Sequence, residues 1–514
     1  MANASGTVTA RDREGAVRTG VSGLDEILRG GLPPHRMYVI EGDPGAGKTT
    51  LALQFLLHGA QSGETVLYVT LSETSEELRE VAHSHDWTLD GVNLLELGAL
   101  EGRLRHEAEY TVYHPADVEL GEMTKRIRAE ADRLQPARVV LDSVSELKVL
   151  SETNARYRRE ILGLKQFFAG KHCTVLVLDD RTSRQELQLQ SLAHGVIAME
   201  RERREYGDTR RQIHIVKMRG VRFRDGRHDF VIKTGGFAVY PRLSAAEHDK
   251  NYPHENIKSG VQELDALLGG GLDRGTSTLV MGPAGCGKTT LCAQFLIAAL
   301  TRGESTECYL FEESIPTFLE RAAGLGMNFE PFLASGLCAM HQIDPAEMSP
   351  GEFAHQVQQA VEHRDIRVLM IDSLNGYLNA MPSEHFLMIQ MHELLMFLGK
   401  QGVVTLLVMA QHGMMGSAMQ SPVDVSFLAD TVILLRYFEA MGEVRQAISV
   451  VKKRRSSHER TIREMRLGGG GVIVGEPLRQ FQGVLTGVPR YSGTDTPLLK
   501  KKDGKDGSVT PSRS

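Results

Sequence analysis

Short apolar runs separated by longer amphipathic stretches set the pattern of this chain. Residues 37–41, 66–71, 139–142 and 174–178 are apolar, largely β-branched runs of strand length. Residues 278–281, 308–311, 368–372 and 403–409 repeat that pattern further along. Residues 48–58 predict a helix. Apolar runs that alternate with helices predict parallel strands buried on both faces. The segments TRRQIHIVKMRG and EVRQAISVVKKRR, late in each half, read as added antiparallel strands. The expected fold class is α/β, with two tandem, mostly parallel sheets and helices on both faces of each.

Self-comparison supplies the organisation. TGVSGLDEILRGGLPPHRMYVIEGDPGAGKTTLALQFLL starts at Thr19, and SGVQELDALLGGGLDRGTSTLVMGPAGCGKTTLCAQFLI starts at Ser259. They align without a gap at an offset of 240 residues, Gly42 falling on Gly282, and about half of the positions are identical. That period is far above the ~20–50 residues of solenoid repeats, so a whole domain is duplicated. The expected parts are an N-terminal extension (1–17), a first domain (18–243), a polar linker (244–256), a second domain (257–489) and a tail (490–514). The tail is rich in Gly, Ser, Thr and Lys and reads as disordered.

Composition narrows the function classes. The 514 residues are 41% hydrophobic and 24% charged, which is ordinary for a globular protein. A net charge of −6 argues against a chain whose main task is gripping a nucleic-acid backbone. No apolar run approaches the ~18–20 residues of a membrane helix, and the N-terminus lacks a signal-peptide core. Five cysteines (Cys173, Cys286, Cys292, Cys308 and Cys338) without C-x-x-C spacing suggest neither a disulfide framework nor a zinc site. A cytoplasmic protein without membrane contact is expected.

The candidate chemistry lies in matched pairs of motifs. Residues 42–49 (GDPGAGKT) and 282–289 (GPAGCGKT) both fit the phosphate-binding P-loop, each between an apolar strand and a helix. Glycines let backbone N–H groups surround phosphate oxygens, and the helix N-terminus adds positive potential. Candidate nucleotide ligands are Gly45, Ala46, Gly47, Lys48, Thr49 and Thr50, with Gly285, Cys286, Gly287, Lys288, Thr289 and Thr290 in the second copy. Thr49 and Thr289 are candidate Mg²⁺ ligands, and ATP with Mg²⁺ is the expected pairing. Asp142 and Asp372 each end an apolar strand and can orient the metal's water shell.

Two further pairs are open on residues alone. Glu73, Glu312 and Glu313 follow the second strand of their copies, and a carboxylate there can act as general base. Glu312 also counts among the candidate metal ligands. Equally, acidic residues beside Ser72 and Ser314 suit a helix cap and first turn. Near each domain end stand Lys217-Met218-Arg219 and Lys452-Lys453-Arg454. Lys and Arg two apart on a strand share a side and could reach a triphosphate. A solvated basic edge that discourages aggregation is the plainer reading.

Together these residues resemble the KaiC family, two-domain ATPases of the RecA superfamily known from the cyanobacterial clock. The resemblance spans residues 18–490. It rests on the duplicated lead-in, both P-loops, the E-E-S step, both D-S strand ends, K-x-R near each domain end, and residues 429–437 (ADTVILLRY). It implies RecA-like domains and a double-ring homo-hexamer with ATP between neighbouring subunits, Lys217 and Arg219, and Lys452 and Arg454, then acting across the interface, with Met218 and Lys453 beside them among the expected nucleotide ligands. It also implies autophosphorylation, with Ser426 as the serine acceptor, and signalling or clock partner proteins. This chain departs from the family at Ser72, where a glutamate is expected, so hydrolysis is expected to be dominated by the second domain. It departs again at Phe427, in place of the family's threonine acceptor. Leu325 replaces the aromatic expected near the second nucleotide, whereas Trp87 holds the related place in the first domain. The tail shows no match to the family's partner-binding segment. Two other classes stand beside this reading: a RecA- or RadA-type DNA-dependent ATPase, and a nucleotide-gated scaffold without kinase activity.

Overall fold

The computed structural model describes residues 15–97, 115–151, 153–180, 188–203, 207–378, 384–411, 427–485 and 490–491. It divides into two compact units, Met1–Arg242 and Leu243–Ser514. Ser426 and most of the tail lie outside the described residues.

The first unit holds a nine-stranded sheet. Its strands are β1 (Met37–Gly42), β2 (Val66–Thr70), β3 (Val92–Glu96), β4 (Arg138–Asp142), β5 (Thr174–Asp180), β6 (Gly195–Glu202), β7 (Arg210–Met218), β8 (His228–Lys233) and β9 (Gly236–Tyr240). The order is β3-β2-β4-β5-β1-β6-β7-β8-β9. The six strands from β3 to β6 pair in parallel, and β7, β8 and β9 complete the sheet antiparallel. β1, β2 and β4 are buried along their whole length, as expected of strands covered on both faces. On one face, Phe55, Leu56 and Leu51 of the Lys48–Gln61 helix pack with Tyr38 and Ile40. On the other, Ile161, Leu164 and Phe168 of the Asn154–Gly170 helix pack with Val39, Val175 and Val177. Each such side chain contributes about 1.5–3 kcal/mol by leaving water.

The second unit repeats the plan. A short ribbon, β10 (Asn256–Ile257) with β11 (Leu272–Asp273), precedes β12 (Ser277–Gly282), β13 (Thr306–Leu310), β14 (Cys338–Gln342), β15 (Val368–Asp372), β16 (Val404–Ala410), β17 (Thr431–Ala440), β18 (Glu443–Lys453), β19 (Ile462–Gly468) and β20 (Gly471–Pro477). The order is β14-β13-β15-β16-β12-β17-β18-β19-β20, the same topology as the first sheet. The two late segments read as antiparallel strands are β7 and β18, and both pair antiparallel. Between the two sheets, Leu243 and Ala245 pack into the second unit's core, and Tyr252 lies over Arg274. Trp87 fills the space beside Gly236, where an added Cβ would meet its ring at 2.2 Å, so it packs the first core. No helix among the described residues is long and apolar enough to cross a membrane.

Candidate nucleotide sites

Topology places both P-loops. β1 lies between β5 and β6, and β12 between β16 and β17, so each loop leaves the carboxyl end of a central strand. Gly45, Gly47, Gly285 and Gly287 have φ of 77°, 103°, 75° and 94°, a region open to glycine and strained for other residues. This left-handed backbone turns successive N–H groups inward and feeds the Lys48–Gln61 and Lys288–Thr301 helices. Ala46 and Cys286 are fully buried under their loops, and burial pushes the Cys286 thiol up, which keeps it neutral. Only their backbone is left for a ligand.

The lysines curl over the loops. Lys48 Nζ donates to the carbonyls of Gly42 at 2.9 Å and Asp43 at 3.1 Å and pairs with Asp180 at 2.8 Å. Lys288 Nζ donates to Pro283 O at 2.7 Å. Thr49 Oγ1 donates to Asp142 at 3.0 Å, and Thr289 Oγ1 to Asp372 at 2.6 Å. Each expected metal threonine therefore meets its expected aspartate. Burial raises Asp142, against the hydrogen bonds from Tyr68 and Thr49, and pushes Asp372 up to about 6 with help from Glu313 and Glu312. A threonine hydroxyl beside a buried carboxylate is a hard-oxygen donor set that fits Mg²⁺, which keeps several waters and takes few protein ligands. Thr50 and Thr290 are buried inside the helix start, and Thr290 accepts from Arg321 at 3.1 Å.

The glutamates are not helix-capping groups. The caps are Thr74, which forms a capping box with Glu77, and Ser314. Ser72 is not the cap expected from sequence. Glu73, Glu312 and Glu313 precede the caps and face the strand ends. Ser373 Oγ donates to Glu312 at 2.7 Å, beside Asp372. Glu313 is bound by Arg321 at 2.6 Å. Val81 stands where Arg321 would fall, so Glu73 has no such cation, and its Oε2 is buried without a hydrogen-bond partner among the described residues. Burial raises the Glu73 carboxyl, and Asp142 and Glu77 raise it further.

The basic triplets lie at the other end of the sheet. Lys217 sits across from Val196, whereas the P-loop end of β6, at Met199, faces Ile213. Val196 in turn pairs with Val39, so three residues of strand put Lys217 about 10 Å from the level of Gly42. Lys217 is held by Gln190 O and Arg219 by Ser191 O at 3.0 Å. Lys452 donates to Ala429 O at 2.8 Å and Arg454 to Phe427 O at 3.1 Å. The middle residues need correction as side-chain ligands. Met218 is buried in the first core, and Lys453 is buried on Leu268 O, Gly271 O and Asp273. Both offer a ligand only backbone.

Arg201 carries no sequence motif, and Tyr437 belongs to the 429–437 motif without being marked there as a site residue. They hold equivalent places over the two P-loops: an added Cβ at Gly45 would meet Arg201 at 2.8 Å, and one at Gly285 would meet the Tyr437 hydroxyl at 3.0 Å. Tyr68, Asp180 and Arg321 also escaped the sequence reading. Tyr68 sits inside an apolar run and Asp180 just past the end of one, and neither carries a motif, so only strand adjacency brings them to Asp142 and Lys48.

Comparison with known proteins agrees with this geometry. The family model for the KaiC ATPase matches residues 17–244 and again 257–479. The chain is 27% identical to the circadian clock oscillator protein KaiC of Picosynechococcus, over 93% of each chain. It is also 27% identical to the circadian clock protein KaiC3 of Synechocystis, over 93% of this chain and 95% of that one. Against KaiC of Synechococcus elongatus the identity is 26%, over 92% and 91%. With the duplicated sheet order, both P-loops and both threonine–aspartate pairs in place, the chain belongs to the KaiC family of ATPases.

Proposed function

We propose that the chain is a nucleotide-driven regulatory hexamer that binds Mg·ATP in both units, hydrolyses it in both, and phosphorylates itself on Ser426. The threonine–aspartate pairs carry the binding: Thr49 with Asp142 and Thr289 with Asp372 would hold Mg²⁺, whose chemistry is neutralising charge at the β- and γ-phosphates. Lys48 and Lys288 bind the phosphates. Glu73 in the first unit and Glu312 in the second orient the attacking water and take its proton. Ser72 gave the reason to rank the second unit first. Against that ranking, Glu73 is the carboxylate with raised proton affinity and no arginine partner, whereas its counterpart Glu313 is paired with Arg321. We therefore assign one working base to each unit.

The place of Lys217, Arg219, Lys452 and Arg454 favours assembly. Lys217 and Lys452 lie about 10 Å from the level of their own loops, and the four cations suit a neighbour's nucleotide instead. In both units a bulge at the same place, after Val196 and after Val432, leaves Val216 and Val451 exposed beside these cations. On the Glu384–Lys400 helix, Phe386, Ile389 and Met396 are exposed apolar residues that a ring contact would cover. A DNA-dependent reading has the net charge of −6 against it. The deciding experiment incubates pure protein with γ-labelled ATP, counts free phosphate and maps modified peptides. Free phosphate with label on Ser426 supports the whole proposal. Free phosphate with an unmodified Ser426 removes the kinase part, and no phosphate release removes hydrolysis.

A further inference from the structure

At the end of the first sheet away from its P-loop, the chain gathers cations. A cavity of about 240 Å³ is lined by Arg36, Lys165, His194 and Arg219 around Met37 and Phe168. A hollow of about 470 Å³ adjoins it and shares Arg36, His194 and Arg219. Among the described residues, no Asp or Glu lines either one. Lys165 donates to Leu192 O at 2.7 Å, Arg219 to Ser191 O at 3.0 Å and Arg36 to His35 O at 3.1 Å, so backbone carbonyls hold all three. The His194 backbone is fixed by Met37 O, while its Nε2 is buried without a hydrogen-bond partner among the described residues.

The second unit, built on the same frame, does not repeat this cluster. Thr276 stands for Arg36, Leu395 for Lys165 and Asp430 for His194, and Asp430 lies 3.6 Å from Arg454. At the counterpart end Arg454 thus has an acid supplied internally. In the first unit, burial together with Arg36 and Arg219 lowers the proton affinity of both Lys165 and His194, as expected of like charges drawn together. Partly dehydrated cations without a counter-charge are unfavourable until an anion joins them. Guanidinium, ammonium and imidazole around one cavity match the oxygens of a phosphate group.

We propose that this cavity is a binding site, separate from both P-loops, for a small phosphate-bearing anion, with Arg36, Lys165 and His194 as its ligands and Arg219 at its rim. It does not need a neighbouring subunit, since all four cations come from one chain.

Pyrophosphate is the probe, titrated by calorimetry into the full chain carrying Lys48→Ala and Lys288→Ala, so that neither P-loop contributes. Binding at one site per chain is expected. Adding the exposed-site change Arg36→Gln, or Lys165→Met, should weaken it on the order of tenfold, and Lys165→Arg should retain it. His194→Asp, which copies the second unit, should abolish it by giving Arg219 an internal partner. If the cluster serves only a neighbour's triphosphate, the P-loop-deficient chain will not bind pyrophosphate, and the proposal is overturned. Binding left unchanged by both Arg36→Gln and Lys165→Met overturns it equally.

Discussion

At the scale of single residues, the two sites use the same parts under different electrostatics. Asp372 is buried and pushed up to about 6, well above its ordinary 3.8. An acid whose folded proton affinity is raised favours the fold at low pH. That contribution is lost as pH rises from about 4 to about 6 and stays lost above. Asp372→Asn should therefore raise stability at pH 7 by on the order of 2 kcal/mol, with little gain at pH 4, while abolishing Mg·ATP binding in the second unit. Thermal melts at the two pH values and nucleotide titration check both halves. Glu73 makes a matching kinetic case. A general base works only when ionised, so a raised carboxyl should cause first-unit turnover to fall off at higher pH than an ordinary glutamate would. In a Lys288→Ala background, the acid limb of the pH–rate profile reports it. Glu73→Gln should cost about 10²–10⁴-fold there, and a flat response would remove the assignment. The glutamates were legible as candidates from sequence, but their roles were not. The split between Glu313 and Glu73 depends on Arg321 against Val81, eight residues on, which only a helix turn brings into reach.

At the scale of elements, the P-loop turn is the least tolerant part. Gly47 combines a φ of 103° with a tight approach, since an added Cβ would lie 2.4 Å from Ile232. Gly47→Ala should strain the turn and displace β8, lowering first-unit nucleotide affinity without altering the second. Titration of ATP into that variant in a Lys288→Ala background reads the effect. A milder cost is expected at helix starts. Ser349 accepts from Glu352 N at 3.0 Å and caps the Pro350–Arg364 helix, so Ser349→Ala should lose about 1 kcal/mol in chemical denaturation. The strands of the parallel core were readable because full burial writes continuous apolar runs. β3, β8 and β9 were harder, because half-exposed strands carry mixed patterns that a period cannot separate from loops.

At the scale of the whole molecule, duplication lets each site be silenced separately. Lys48→Ala and Lys288→Ala should each remove one class of bound nucleotide, read as stoichiometry in equilibrium dialysis. ATP should shift the chain to hexamers by mass action if nucleotide bridges subunits, and light scattering at saturating ATP reads that directly. A monomer under those conditions would leave the ATPase chemistry standing and remove the proposed neighbour role of Arg219 and Arg454.

What the sequence by itself determined is what local order writes down. The repeat at an offset of 240, both phosphate loops and the alternation of apolar runs with helices need only neighbours along the chain. Family membership was legible for the same reason, because its motifs are contiguous. Tertiary structure decided everything that depends on strand order. A crossover sheet sets β1 between β5 and β6, and so brings Asp180 to Lys48 and leaves Lys217 at the far end. The cavity of Arg36, Lys165, His194 and Arg219 is likewise assembled from four separate elements. No spacing rule along the chain could gather them, because their proximity comes from the order in which the strands pair and the face on which a helix packs.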